Sequence, residues 1–68
     1  MKILITGAAG FVGRNLTETL RCIRDGKDRR FPDLVIEELF LYDQDSRLEV
    51  LEAGCREADF VFHLAGVN

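Results

Sequence analysis

Met1-Lys2-Ile3-Leu4-Ile5-Thr6 runs directly into Gly7-Ala8-Ala9-Gly10-Phe11-Val12-Gly13, and this junction decides how the chain is read. Lys2 to Thr6 is short, apolar and rich in isoleucine, which predicts a buried parallel strand stopped by Gly7. Beyond the glycines, Val12, Leu16, Leu20 and Ile23 recur at helical spacing, while Arg14, Thr17, Glu18 and Arg21 fall elsewhere on the wheel. A helix is therefore expected to open at the third glycine and to end near Gly26. Arg21 and Arg24 would complement the dipole in its last turns.

Working outward, Gly26 to Asp33 is polar, carries the single proline and reads as a surface loop. Leu34, Val35 and Ile36 are expected in the approach to a second strand, Leu39-Phe40-Leu41-Tyr42, which Asp43-Gln44-Asp45 ends. Ser46 and Glu49 match the S-x-x-E capping box, and Leu48, Leu51, Cys55 and Ala58 would form the apolar face of a second helix. Asp59-Phe60-Val61-Phe62-His63-Leu64 reads as a third strand that Ala65-Gly66 closes. No repeat or low-complexity tract interrupts the order β-α-β-α-β. That order calls for an α/β fold with a three-stranded parallel sheet and right-handed crossovers.

Composition narrows the class. With 68 residues, 47% of them hydrophobic and 31% charged, the chain suits one small soluble globular unit with a marginal core. Its net charge of −3 argues against a nucleic-acid partner, and the basic cluster Arg24–Arg30 is broken by Asp25 and Asp28. Cys22 and Cys55 fit no metal or redox spacing and are expected as small buried helix-face residues in a reducing compartment. The apolar run before Thr6 is too short for a signal h-region or a membrane span, so a cytoplasmic location without membrane contact is expected.

The glycines carry the chemistry. A pyrophosphate needs hydrogen-bond donors without bulk around them. A helix N-terminus offers free N–H groups and a partial positive charge. Gly7 lets the chain turn as the strand ends, Gly10 lets backbone approach the phosphates, and Gly13 lets the helix pack close to the sheet. The amides of Phe11 and Val12 are the candidate phosphate donors. The G-x-x-G-x-x-G spacing is one residue longer than the usual dinucleotide fingerprint, but its position between strand and helix meets the context that motif requires. The competing reading is a glycine turn that only packs helix on strand.

Asp43 is the second candidate. A carboxylate at the end of the second strand can accept both hydroxyls of an adenosine ribose, and its charge disfavours a 2′-phosphate, favouring NAD over NADP. The alternative is that Asp43 and Asp45 form an Asx-rich turn before Ser46. Arg14 in the first helical turn could instead reach a 2′-phosphate, which leaves NAD and NADP both open. His63, the single histidine, suits a hydrogen-bonded structural role, and a metal site is not expected. Leu64, Ala65 and Gly66 lie where small residues at a strand's carboxyl end leave room for a cofactor ribose.

Two segments resemble a known family. Ile5-Thr6-Gly7-Ala8-Ala9-Gly10-Phe11-Val12-Gly13 is similar to the opening of the extended short-chain dehydrogenase/reductases, the NAD-dependent epimerases and dehydratases of nucleotide sugars. Ala58-Asp59-Phe60-Val61-Phe62-His63-Leu64-Ala65-Gly66 looks like that family's fourth strand with its H-L-A ending. The resemblance implies a partial Rossmann fold, with residues 1–68 as the N-terminal part of an NAD(P)-binding domain. The family usually has one more strand and helix before the H-L-A strand, and here there is room for a single helix. The ending Ala65-Gly66-Val67-Asn68 resembles the branch of reductases and epimerases that make precursors of capsular polysaccharide.

The same resemblance implies catalysis by a Tyr-x-x-x-Lys dyad with a nearby Ser or Thr. The only tyrosine is Tyr42, and four residues on stands Ser46. No catalytic residue is therefore expected among these 68, and the nucleotide-sugar pocket would lie in chain beyond Asn68. The first expectation is an oxidoreductase, epimerase or dehydratase whose adenosine–pyrophosphate half is held here. A stand-alone, non-catalytic nucleotide-binding module is the second. The third is an interaction piece that forms a homo-oligomer through exposed sheet edges.

Overall fold

The computed structural model of the chain describes residues 1–64. Strand β1 spans Lys2–Thr6, helix α1 Phe11–Arg24, strand β2 Glu38–Tyr42, helix α2 Leu48–Glu57 and strand β3 Phe60–His63. The three strands form one sheet in the order β2-β1-β3, with both pairs parallel. This is the partial Rossmann arrangement expected from the alternation of strand and helix patterns. None of the described helices is long and apolar enough to cross a membrane.

The central position of β1 follows from its composition. Ile3, Leu4 and Ile5 are almost wholly buried, because a strand covered on both faces tolerates no polar alternation. Ile3 and Ile5 point to one face and join Leu20 and Ile23 of α1 and Ile36 in the core. Leu4 points to the other face and meets Gly54 of α2. The helices must lie on opposite faces. The first crossover leads from β1 outward to β2, and the second returns past β1 to β3, so two right-handed connections in opposite directions use opposite sides.

Helix α1 ends in a Schellman motif. Gly26 adopts a φ of 76°, its N–H donates to Ile23 (3.2 Å), and the Lys27 N–H donates to Cys22 (2.9 Å). The loop that follows is exposed over most of its length. Ile36, in the approach to β2, is buried.

Several expectations about the helices are corrected. In α1 the buried line is Gly13, Thr17, Leu20 and Ile23, whereas Val12 is 62% exposed. Helix α1 approaches the sheet along Gly13, the residue that allows the closest contact, and this rotates Val12 outward. In α2 no capping box forms. Arg47 is the N-cap without a side-chain hydrogen bond, because Ser46 is engaged with Asp43 instead. Leu48 and Cys55 of that helix are exposed, and Gly54 takes the buried position, where its missing side chain makes room for the end of Leu4. Cys22 is half-buried, so neither cysteine is the buried helix-face residue expected, and both are free thiols.

Candidate functional site

The carboxyl ends of the strands meet the glycine loop at one edge of the sheet. The loop is held from beneath by β2: the N–H groups of Gly7 and Ala8 both donate to the Tyr42 carbonyl, at 2.9 and 3.2 Å. Gly7 has a φ of 75°, and a side chain at its Cβ would run into the Leu64 carbonyl oxygen. The Gly10 N–H turns back to the Gly7 carbonyl (3.2 Å), and Gly10 is the N-cap of α1. Gly13 packs against backbone as well, since a Cβ there would meet the Gly7 carbonyl oxygen and stand 2.8 Å from Ala8 Cα.

These bonds account for the amides of residues 7 to 10 and leave those after them. The Ala9 N–H donates to Asp43 Oδ2 (2.9 Å), and the first N–H to enter the α1 ladder is that of Arg14, to Gly10. The N–H groups of Phe11, Val12 and Gly13 have no partner among the described residues. Among the described residues, three donors without a partner therefore sit at the N-terminus of a 14-residue helix, with no acidic side chain in its first turn to occupy them.

Asp43 stands beside this loop. Its Oδ2 accepts from Ala9 and its Oδ1 from the Gln44 N–H at 2.7 Å. The Ala9 amide, and after it the Gln44 amide, hold its carboxyl below the ordinary carboxylate value against a smaller opposing effect of burial. Asp43 is thus part of the turn before Ser46, as one reading of the sequence had it, and it also reaches the glycine loop through Ala9. A cleft of about 430 Å³ opens next to it, between Arg14, Thr17 and Arg21 of α1 and the turn carrying Asp43 and Ser46.

At the other flank of the loop, the Leu64 N–H donates to the Thr6 carbonyl (3.1 Å), so Leu64 closes against β1 and Gly7. His63 shares a 2.6 Å hydrogen bond with the Thr6 hydroxyl, in keeping with a structural role. Ala65 and Gly66 lie outside the described residues. No group of three metal-ligating side chains occurs among the described residues. Of the expected site residues, Gly7, Gly10, Phe11, Val12, Gly13, Asp43 and Leu64 are gathered at one edge. Sequence reasoning missed the Ala9 amide, the Tyr42 carbonyl and the hydroxyl of Ser46. Only the last left a signal, a serine three residues after an aspartate in a turn.

The sequence model of the NAD dependent epimerase/dehydratase family matches residues 3–68. The chain belongs to this family. Among curated proteins it is similar to the UDP-2-acetamido-2,6-beta-L-arabino-hexul-4-ose reductase of Pseudomonas aeruginosa (strain ATCC 29260), with 43% identity over 68 residues. That match covers 100% of the chain and 15% of the relative's length. No solved structure matches.

Membership of the epimerase/dehydratase family implies use of a nicotinamide cofactor, and the residues here fit the phosphate-bearing half of one. The fit rests on the three free amides of Phe11, Val12 and Gly13 above a loop in which Gly7 and Gly13 admit no side chain. The family's reactive dyad is not matched by Tyr42, which lies in β2 and is followed four residues later by Ser46.

Proposed function

We propose that residues 1–68 hold the adenosine–pyrophosphate half of NAD(P) in a nucleotide-sugar epimerase, dehydratase or reductase. The observation that carries this reading is the row of free amides at Phe11, Val12 and Gly13, next to the carboxylate of Asp43. Phosphate oxygens would accept from that row with the helix dipole behind it. The adenosine ribose would lie against Asp43 at the β2 end, and Leu64-Ala65-Gly66 after β3 would leave room for a cofactor ribose, as the sequence reading has it. A bound nicotinamide would supply hydride exchange with a sugar carbon, and the residues that receive the sugar would belong to chain beyond this segment, which matches 15% of the relative's length.

Among the three reactions we favour reduction, since the similar curated protein is named as a UDP-sugar reductase. We favour NAD over NADP because the Asp43 charge would repel a 2′-phosphate on a ribose bound beside it, although Arg14 lines the same cleft. The narrower assignments, synthesis of capsular-polysaccharide precursors and a cytoplasmic enzyme active as a homo-oligomer, belong to the same proposal. Titration calorimetry of the full-length protein with NADH and NADPH, followed by turnover assays with UDP-sugars, tests it. Tight cofactor binding with turnover supports the proposal, and binding without turnover of any UDP-sugar would favour a binding module instead. No binding of either cofactor at millimolar concentration removes the proposal.

A further inference from the structure

The turn after β2 contains a residue whose task differs from the one its sequence suggests. Ser46 stands where a helix cap is expected, yet its hydroxyl oxygen accepts the N–H of Asp43 at 3.0 Å in a partly buried position. In return the Ser46 N–H donates to the Asp43 carbonyl at 2.9 Å. These two opposed bonds close the turn and hold the Asp43 backbone where β2 ends. The direction in which the carboxylate leaves the strand follows from that backbone.

The carboxylate continues the chain of contacts. Oδ1 is held by Gln44 and Oδ2 by Ala9 of the glycine loop, 34 positions away. An ionised carboxylate offers about four acceptor positions. Two are taken by these amides, so about two remain for hydroxyl donors from a ligand in the adjoining cleft. Replacing the Ser46 hydroxyl would leave the Asp43 N–H without its partner and free the carboxylate to swing away from Ala9.

We propose that Ser46 is a positioning residue for the dinucleotide site. It holds Asp43 so that one carboxylate orders the glycine loop through Ala9 and presents its remaining lone pairs to the vicinal diol of the ribose. This rests on the dinucleotide reading given above. Ser46 lines the edge of the same cleft, and its part in the proposal is to act through Asp43.

The test uses the full-length protein with whichever of NADH and NADPH it binds more tightly. Ser46→Ala is expected to weaken that binding by about threefold to tenfold, the weight of one net hydrogen bond. It is also expected to speed hydrogen exchange at the Ala9 amide in ligand-free protein. Ser46→Thr, which keeps the hydroxyl, is expected to restore both. Ser46→Cys, which keeps the size with a weaker acceptor, serves where the alanine variant does not fold and is expected to fall between. In an Asp43→Ala background, Ser46→Ala should change affinity no further. An equal loss in that background, or an Ala9 exchange rate that ignores Ser46, overturns the inference alone. Failure of the unsubstituted protein to bind either cofactor overturns the dinucleotide reading and this inference together.

Discussion

The Thr6 hydroxyl and His63 Nδ1 share a 2.6 Å hydrogen bond across the carboxyl ends of β1 and β3. The two residues are register partners in parallel strands, so their side chains leave the same face of the sheet. One step further along, the backbone of Leu64 bonds to Thr6, and its carbonyl lies against Gly7. The point where the glycine loop departs from β1 is therefore tied to β3 by both side chain and backbone.

Removing this tie gives the first prediction. A double-mutant cycle of Thr6→Val and His63→Ala, read by urea unfolding of the full-length protein, should give a coupling of about 0.5–1.5 kcal/mol. Strictly additive losses would mean that the bond contributes nothing beyond the two separate side chains.

The glycines should differ sharply in their tolerance of alanine. Gly7 combines a φ of 75° with a backbone oxygen in the way, and Gly13 is enclosed by the backbone of Gly7 and Ala8. Neither neighbour can move aside cheaply, so each substitution should cost upward of about 2 kcal/mol. At Gly54 the obstacle is Leu4 Cδ1, 2.7 Å from the added carbon, which is the end of a flexible side chain. There the helix propensity of alanine, worth about 1 kcal/mol, offsets much of the strain. Thermal unfolding that finds Gly54→Ala as costly as Gly13→Ala would contradict this ranking.

The pH dependence of the loop follows from Asp43. Its carboxyl is held low in the folded protein, by the Ala9 amide first and the Gln44 amide second. A depressed folded value means that the stabilisation is fully present above the unfolded value, about 3.9, and is lost as pH falls through the folded one. The Ala9 amide resonance should therefore titrate with a midpoint below about 3.9, and Asp43→Asn should abolish that titration. A midpoint at or above the unfolded value is the outcome that rules this out. Asp28, lowered to about 2 by the Arg30 side chain and then its backbone amide, should titrate in the same low range.

Thr17 offers a gain. It is 6% exposed on the buried line of α1, and its hydroxyl oxygen has no hydrogen-bond partner among the described residues. A buried unmet polar atom costs about 1–3 kcal/mol, and valine has nearly the same shape. Thr17→Val should raise stability by up to about 1 kcal/mol in chemical unfolding. A loss of that size would show that the hydroxyl finds a partner in the complete protein.

How far sequence reading carries depends on the range of the forces involved. Lys2–Thr6 as a strand, the glycine turn, a helix closed by Gly26 and the parallel alternation were all legible, because steric rules and periodicity act over a few neighbouring residues. The rotation of α1 was not. Val12 and Thr17 flank the same stripe on a helical wheel, and hydropathy favoured Val12. The close approach at Gly13 favoured Thr17, and helix-to-sheet contact outweighs the preference of one side chain. Gly54 was missed in α2 for the same reason, since its value lies in the space it leaves for Leu4.

The sequence by itself determined the strand, loop and helix that expose the amides of Phe11, Val12 and Gly13, because all of those residues are neighbours in the chain. Only the tertiary structure decided what stands beside them. The parallel register that sets Thr6 opposite Tyr42 brings two strand ends to one edge, so Asp43 reaches Ala9 and Ser46 turns from capping a helix to holding Asp43. Register is settled by burying β1 on both faces, and no short stretch of residues contains that information.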